Sequence, residues 1–242
     1  MARSIALRRL DSRLSDADRL LEIHTECTGP ERGRRRGYDA LNRSAVILAV
    51  AAWEGFVEDR LEGAAAIISR RLKGPSDLPG NVRDAMLAAM YEEQGWSRLG
   101  NETKAGIWSL AGRGWRSAYV SYAKAKVGAL NTPDYQKLRR LYASVIGLSD
   151  VAVGWEYRRW TKDTYTARLD NLLLLRHRIA HGVIGDETVG KTVAKDGVSL
   201  VRKLATWTDQ TVGEHLASLP LASQSVQPIR LRRDSTNRLE IA

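Results

Sequence analysis

Apolar residues recur along most of this chain at steps of three and four, the spacing that places side chains on one face of a helix. The first such pattern predicts a helix over about 3–26, or a shorter one beginning near Ser15, and Gly29 ends it. The longest pattern covers about 42–73 and stops at a Gly- and Pro-rich break over 74–80.

The second half of the chain repeats this spacing in four further segments. It predicts helices over 81–94, over 132–146, from about 163 to 182, and over 197–219. Pro133 is expected at the first helical position of its segment, where its missing N–H costs nothing. Gly182 is expected to follow the next helix as the C′ residue, a position that favours glycine because it needs a left-handed backbone.

The first half of the long helix is apolar on every side. It contains no polar residue between Ala45 and Trp53, so it must be surrounded, either by the chain's own core or by a second subunit. This run is about half of the ~20 apolar residues that a membrane span needs, so no membrane is expected. Glu54 follows directly, and a carboxylate at this position needs a partner if it is buried.

Two segments interrupt the helical pattern. Glycines recur between Gly95 and Gly128 and predict one or two short helices with loops, so about 95–130 is expected to form an irregular insertion between core helices. Residues 220–242 are polar and basic, which predicts an appended tail. No convincing strand alternation precedes this tail. The chain is therefore predicted to be all-α, with a single helical bundle over 1–219.

The chain is strongly basic, with 38 Lys and Arg against 28 Asp and Glu and a net charge of +10. Such a charge favours a polyanionic partner, nucleic acid before an anionic membrane, although an inert basic surface is the alternative. A single cysteine, Cys27, excludes a disulfide framework and a cysteine-rich zinc site. The N-terminus lacks an apolar run of signal-peptide length, so a cytoplasmic protein is expected.

Two basic stretches are candidate RNA contacts. Arg34, Arg35 and Arg36 lie in a predicted loop, where they form either a phosphate-contacting patch or a solvated surface. Further along, Arg113 and Arg116 alternate with aromatic residues. Such a mixture can hold single-stranded RNA by stacking and phosphate contact, but aromatic residues at helical spacing also build cores. Both interpretations remain open for each stretch.

The strongest candidate site closes the leucine-rich helix that ends at Gly182. Four charged or titratable residues crowd into this end, Arg176, His177, Arg178 and His181, although the chain has only four histidines. Histidine moves protons near neutral pH and arginine offers a planar, fixed cation, and cleavage of a phosphodiester bond needs both. Cations also complement the dipole at a helix C-terminus, so a purely structural cluster is the alternative.

Other chemistries fit these residues poorly. His177 and His181 share a helix face as zinc ligands do, but no third ligand has a recognisable spacing and two guanidiniums oppose a metal ion. No nucleophile elbow and no phosphate-binding glycine loop occur. Neither a metal nor a cofactor is therefore expected.

The spacing of the cluster sets a geometric condition. Arg176 and His181 lie about 140° apart around an ideal helix. They converge on one phosphate only if the helix end unwinds, or if a second copy of the chain supplies one of the two residues.

The stretch from Arg176 to Gly182 resembles the R-x4-H motif of HEPN ribonucleases, in which a polar residue, here His177, follows the arginine. Residues 41–57 are similar to the apolar helix with a central glutamate that precedes the motif in many members. The similarity covers about residues 16–219, apart from the glycine-rich middle. It implies a HEPN-like helical bundle that dimerises with two motifs facing each other.

The resemblance also implies an activity and a set of roles. It implies a metal-independent endoribonuclease, often a toxin or antiviral defence effector, whose partners are RNA, a second copy of the chain and an antitoxin or regulatory protein. Arg176 and His181 would be catalytic, with His177 assisting as the polar motif residue and Glu54 as a supporting partner. Arg178 has no family role and is predicted to contact phosphate or form a salt bridge.

Two other classes of function remain open. The same bundle could be a catalytically silent module that binds RNA or a partner protein, because function resides in the site and not in the fold. The basic charge would also serve a DNA-binding protein, although no helix-turn-helix signature occurs.

Overall fold

A computed structural model describes residues 3–29, 37–92, 112–182, 188–219, 231–233 and 239–241. The described residues form seven α-helices: α1 Ile5–Thr28, α2 Asp39–Arg71, α3 Gly80–Glu92, α4 Gly114–Gly128, α5 Tyr135–Ile146, α6 Lys162–Ala180 and α7 Lys191–Ser218. A 3-10 turn, Pro75–Asp77, precedes α3. In the tail, β1 Leu231–Arg233 pairs antiparallel with β2 Leu239–Ile241. The predicted all-α fold class is confirmed.

The long helix α2 is the centre of the bundle, and it packs against α1, α4, α5, α6 and α7. Most of its apolar run is buried in the chain's own core, including Trp53, whose Nε1 donates to the carbonyl of Pro133. By length and composition α2 could cross a membrane, but half of its most apolar window is buried inside the bundle. Ile47 stays 37% exposed on the same helix. Of the two surroundings predicted for this apolar run, the chain's own core therefore accounts for most of it.

Two predicted helix starts are wrong, and both errors have a local cause. Pro133 does not open α5, because Asp134 is the N-cap and its side chain accepts a hydrogen bond from the backbone N–H of Lys137. Helix α7 begins at Lys191, six residues before the expected Gly197. A Cβ atom at Gly197 would lie 2.9 Å from Leu172 Cδ1, so this glycine allows α6 and α7 to pack closely inside a continuous helix.

The described part of the glycine-rich middle, from Gly114 onward, is mostly one regular helix. Helix α4 is continuous from Gly114 and packs against α2 and α5, while residues 93–111 lie outside the described residues. Trp115 and Tyr119 are fully buried, and the Tyr119 hydroxyl donates to the carbonyl of Val145 at 2.8 Å. The part of the expected insertion from Gly114 onward therefore belongs to the core of the bundle.

Candidate active site

Helix α6 is held in the bundle by one apolar face. Tyr165, Leu169, Leu172 and Leu173 are buried, and their spacing of three and four residues places them on the side that faces α2 and α7. Leu174, on the opposite side, is 57% exposed. The leucine-rich run thus fixes the helix so that its last turn emerges at the surface.

The helix ends as the sequence predicted. His181 is the C-cap residue, and its backbone N–H donates to the carbonyl of His177 at 3.1 Å. Gly182 follows with a φ of 67°, the left-handed conformation expected of a C′ glycine. Since the hydrogen bond to His177 is intact, the helix does not unwind before His181.

The two histidines form a contact pair at this end of α6, called the His pair below. The ring centroids of His177 and His181 lie 4.2 Å apart, with the planes inclined at 49°, and both residues are exposed. Two imidazoles that contact each other and also contact solvent can accept and donate protons at a bound substrate. The cluster predicted from the sequence therefore does present its histidines to solvent.

His177 also lines an open cleft of about 710 Å³ between α6 and the start of α5. The carboxylates of Asp134, Asp163 and Asp170 line this cleft, called the acidic cleft below. Desolvation, and then the charge of Asp134, raise the pKa of Asp170, while a hydrogen bond from the backbone N–H of Tyr135 lowers it. Because its carboxylates repel phosphate, a polyanion would reach the His pair from the helix end and not through this cleft.

Arg176 lies on a different side of α6 from the His pair. It is half-buried and follows Leu172 by four residues and Leu169 by seven, which places it on the side facing α2. Glu54 of α2 lies within its electrostatic reach: burial raises the pKa of Glu54, the Arg176 guanidinium lowers it, and the charge of Glu58 raises it. Burial dominates, so the pKa of Glu54 is raised overall, and Arg176 interacts with Glu54 only through its charge.

A single chain does not satisfy the geometric condition set by the motif. Arg176 faces α2, whereas His181 lies about 140° away around an ideal helix. The intact hydrogen bond from His181 to His177 shows that the helix end does not unwind to bring the two together. Within one chain, Arg176 and His181 therefore do not converge on one side of α6.

The RNA-contact candidates that the structure describes belong to two helices, α4 and α6. Arg178 is half-buried near the end of α6, and Arg113 is exposed at the N-cap of α4. Arg34, Arg35 and Arg36 lie outside the described residues. Arg178 shares the last turn of α6 with the His pair, whereas Arg113 lies on a different helix.

Arg116 has a structural role in the bundle. Its Nε donates to the carbonyl of Ser69 at 2.7 Å, and a terminal nitrogen donates to the carbonyl of Leu72 at 2.9 Å. These carbonyls belong to the end of α2, where helix carbonyls lack partners within the helix. Arg116 therefore caps α2, and the neighbouring aromatic side chains are buried, which favours a structural role for this stretch over an RNA contact.

Sequence reasoning overlooked a second group of cations and aromatic rings. Residues 157–160, Tyr-Arg-Arg-Trp, form a short hairpin before α6, and Arg168 and Lys203 lie beside it. The signal was present as two arginines between two aromatic residues in a segment without helical spacing.

Comparison with known proteins gives one match. The sequence model of the RiboL-PSP-HEPN family matches residues 11–214, a range that includes most of α1, all of α2 and the motif on α6. No curated protein and no solved structure matches the chain. HEPN domains are helical, which agrees with the observed bundle, and membership of this family suggests a nuclease or RNA-related role. The chain belongs to the RiboL-PSP-HEPN family of HEPN domains.

Proposed function

We propose that this protein is a metal-independent endoribonuclease whose active site is shared between two copies of the chain. The observation that carries the proposal is the exposed His pair, which lies in an R-x4-H motif of a HEPN-family chain. Arg176 and Glu54 add a fixed cation with an acidic partner beside it. The net charge of +10 suits a polyanionic substrate.

The reaction needs only groups that this site and RNA supply. The ribose 2′-OH attacks the adjacent phosphorus, and its proton passes to a neutral imidazole, for which His181 is the candidate. The bond from phosphorus to the 5′ oxygen breaks, and that oxygen takes a proton from a second, protonated imidazole. Arg176 stabilises the charge that grows on the phosphate oxygens. The products are a 2′,3′-cyclic phosphate and a 5′-hydroxyl.

A homodimer would complete the site. Leu174 is 57% exposed one turn before the His pair, and Ile47 is 37% exposed on α2, so each copy has apolar side chains that a second copy could cover. A two-fold axis near the end of α6 would bring His181 of one copy towards Arg176 of the other, which a single straight helix does not allow. We expect light scattering at micromolar concentration to give twice the mass of the chain.

We further propose that the nuclease acts in the cytoplasm as a toxin or antiviral defence effector under an antitoxin or regulatory protein. An unregulated endoribonuclease would damage the cell that makes it, which is the reason to expect such a partner. Expression of the wild-type chain should arrest growth, and His181→Ala should relieve the arrest. Equal growth inhibition by the two proteins would contradict the proposal.

The decisive experiment is cleavage of end-labelled, mixed-sequence RNA by purified protein in EDTA. We expect His181→Ala to lower the cleavage rate by about 10²–10⁴-fold and Arg176→Ala by about 10²–10³-fold, the usual losses for a proton-transfer group and for a transition-state donor. Arg71→Gln is the matched control, because it removes one exposed arginine at the end of α2 and should cleave at the wild-type rate.

The outcome separates the nuclease from a silent binding module. If wild type and His181→Ala cleave equally, the assigned site is wrong. If neither cleaves but Arg176→Ala weakens RNA binding, the catalytically silent module is the correct interpretation. Wild-type products that end in 2′,3′-cyclic phosphates would support the proposed route, and 3′-hydroxyl ends would contradict it.

A further inference from the structure

Residues 157–160, just before α6, form a hairpin with a two-residue turn, called the aromatic hairpin below. The backbone N–H of Tyr157 donates to the carbonyl of Trp160 at 3.0 Å, and that of Trp160 donates to the carbonyl of Tyr157 at 3.1 Å. Arg158 and Arg159 form the turn between them. All four residues are exposed.

The hairpin is anchored on the bundle by a chain of aromatic contacts. The Trp160 ring lies 5.6 Å from that of Tyr165, which is buried, and Tyr165 in turn makes an edge contact of 4.9 Å with Trp207 of α7. Lys162, at the start of α6, pairs with Asp150 at 2.9 Å. These contacts hold the exposed rings on a rigid base, as a stacking platform requires.

Exposed aromatic side chains are concentrated at this hairpin. Tyr157 is 51% exposed and Trp160 is 36% exposed, whereas Trp53, Trp115 and Trp155 are completely buried. Among the large apolar side chains that are exposed in the described residues, Tyr157 and Trp160 are the aromatic ones. A flat ring that is left in water beside a folded core is a surface on which a nucleobase can stack.

Cations surround the two rings. The guanidinium of Arg168 lies 4.4 Å from the centre of the Trp160 ring, and that of Arg158 lies 5.2 Å from the centre of the Tyr157 ring. Arg158, Arg159 and Lys203 line a cavity of about 490 Å³ together with the aromatic rings. This volume is in the range of small-ligand sites, and among the described residues that line it there is no carboxylate. The acidic cleft has the opposite charge.

The backbone at Arg158 is strained. Its φ is 57°, in the left-handed region that residues other than glycine and asparagine rarely adopt. Glycine would relieve this strain but would remove the guanidinium. Arg158 therefore keeps a cation at the turn at a cost in backbone strain.

We infer that the aromatic hairpin binds single-stranded RNA, with one base stacked on Trp160 or Tyr157 and the neighbouring phosphates held by Arg158, Arg159 and Lys203. Unpaired bases are required, because a duplex does not expose the faces of its bases. The identity of the ligand as RNA rests on the proposed function, whereas binding itself needs no cleavage.

The position of the hairpin gives it a role in substrate choice. Tyr165 and His181 are 16 positions apart on α6, which corresponds to about 24 Å along the helix axis. RNA bound at the hairpin is therefore held at the opposite end of the motif helix from the His pair. Such a site selects unpaired RNA and raises its local concentration without contacting the bond that is cleaved.

The test measures affinity in full-length protein that carries His181→Ala, so that RNA is not consumed. A short fluorescein-labelled single-stranded RNA and its duplex are titrated by anisotropy at two salt concentrations. We expect Trp160→Ala to weaken single-strand binding by about 5–100-fold, the range seen when one stacking residue is removed. Arg158→Gly should weaken binding severalfold. It should also reduce the slope of log affinity against log salt concentration by about one.

Arg158→Gly keeps the inference falsifiable even if Trp160→Ala disturbs the fold. Glycine suits a φ of 57°, so this variant should melt at or above the temperature of its parent while it binds RNA less tightly. Arg71→Gln removes the same charge elsewhere and should keep the affinity of the parent. Parental affinity in Arg158→Gly and folded Trp160→Ala, or equal binding of duplex and single strand, would overturn the inference.

The two proposals fail in different ways. If the hairpin variants lose RNA binding and the wild-type protein does not cleave RNA, the binding site is supported and the proposed nuclease activity is wrong. If RNA cleavage depends on His181 but the hairpin variants bind RNA as tightly as their parent, the nuclease is supported and the binding site is wrong.

Discussion

Two regions of this molecule interleave arginines with aromatic rings, and they use these residues in opposite ways. In α4, Trp115 and Tyr119 are fully buried and Arg116 caps the end of α2. In the aromatic hairpin, Tyr157 and Trp160 are exposed, with cations close to both rings. Similar residue types thus build a core in one place and a charged surface in the other.

The spacing of the aromatic residues explains the difference. Trp115, Tyr119 and Tyr122 are separated by four and three residues, so one face of α4 carries all three rings into the bundle. The rings of the hairpin flank a two-residue turn that lies outside any helix, so no helical face directs them inward. Composition alone therefore does not identify a nucleic-acid surface; its position relative to the core does.

The largest expected effect is a loss of stability on the α4 side. Trp115→Ala should lower the free energy of unfolding by about 3–5 kcal/mol, because it leaves a large cavity beneath a buried ring. Trp160→Ala removes the same atoms from a partly exposed site and should cost about 1 kcal/mol. Urea denaturation followed by circular dichroism measures both, and equal losses would remove the distinction between the two regions.

Substitution of the buried-side arginine, Arg116, should also lower the free energy of unfolding, but by less than Trp115→Ala. Arg116→Gln leaves the carbonyls of Ser69 and Leu72 without their donor and should cost about 1–3 kcal/mol. Arg113→Gln is the matched control, since that residue is exposed three positions earlier and should melt like wild type. If Arg116→Gln instead melts normally and binds RNA poorly, the original prediction of an RNA contact is restored.

The smallest effect concerns the ion pair that holds the start of α6 beside the hairpin. Although desolvation raises the pKa of Asp150, hydrogen bonds from Lys162, Ala152 and Tyr135 outweigh it and leave the pKa below its usual range. Its contribution is therefore present above about pH 4, the value of an unfolded aspartate, and is lost as the pH falls through the lower folded pKa.

Asp150→Asn removes this contribution. At neutral pH the variant should be less stable than wild type by less than about 1 kcal/mol, as for other half-exposed pairs. The difference should shrink in melting experiments at successively lower pH. A difference that grows on acidification would mean that the carboxylate opposes folding.

Local patterns predicted much of the fold and the position of the motif. Helical spacing and cap residues depend on neighbours within a few positions, so the end of α6 and the left-handed Gly182 could be read from the chain. The same reasoning misplaced the start of α7, because Gly197 is required by contact with Leu172 of another helix and does not mark a boundary.

The site itself divides in the same way. The sequence determined the all-α bundle, its family and the adjacent residues of the R-x4-H motif, since all of these rest on local order along the chain. Only the tertiary structure shows that the charge of Arg176 acts on Glu54, that Arg116 caps the end of α2 and that Trp160 is partly exposed. Burial and charge environment depend on segments that are distant along the chain, and packing of the helices decides which of them meet.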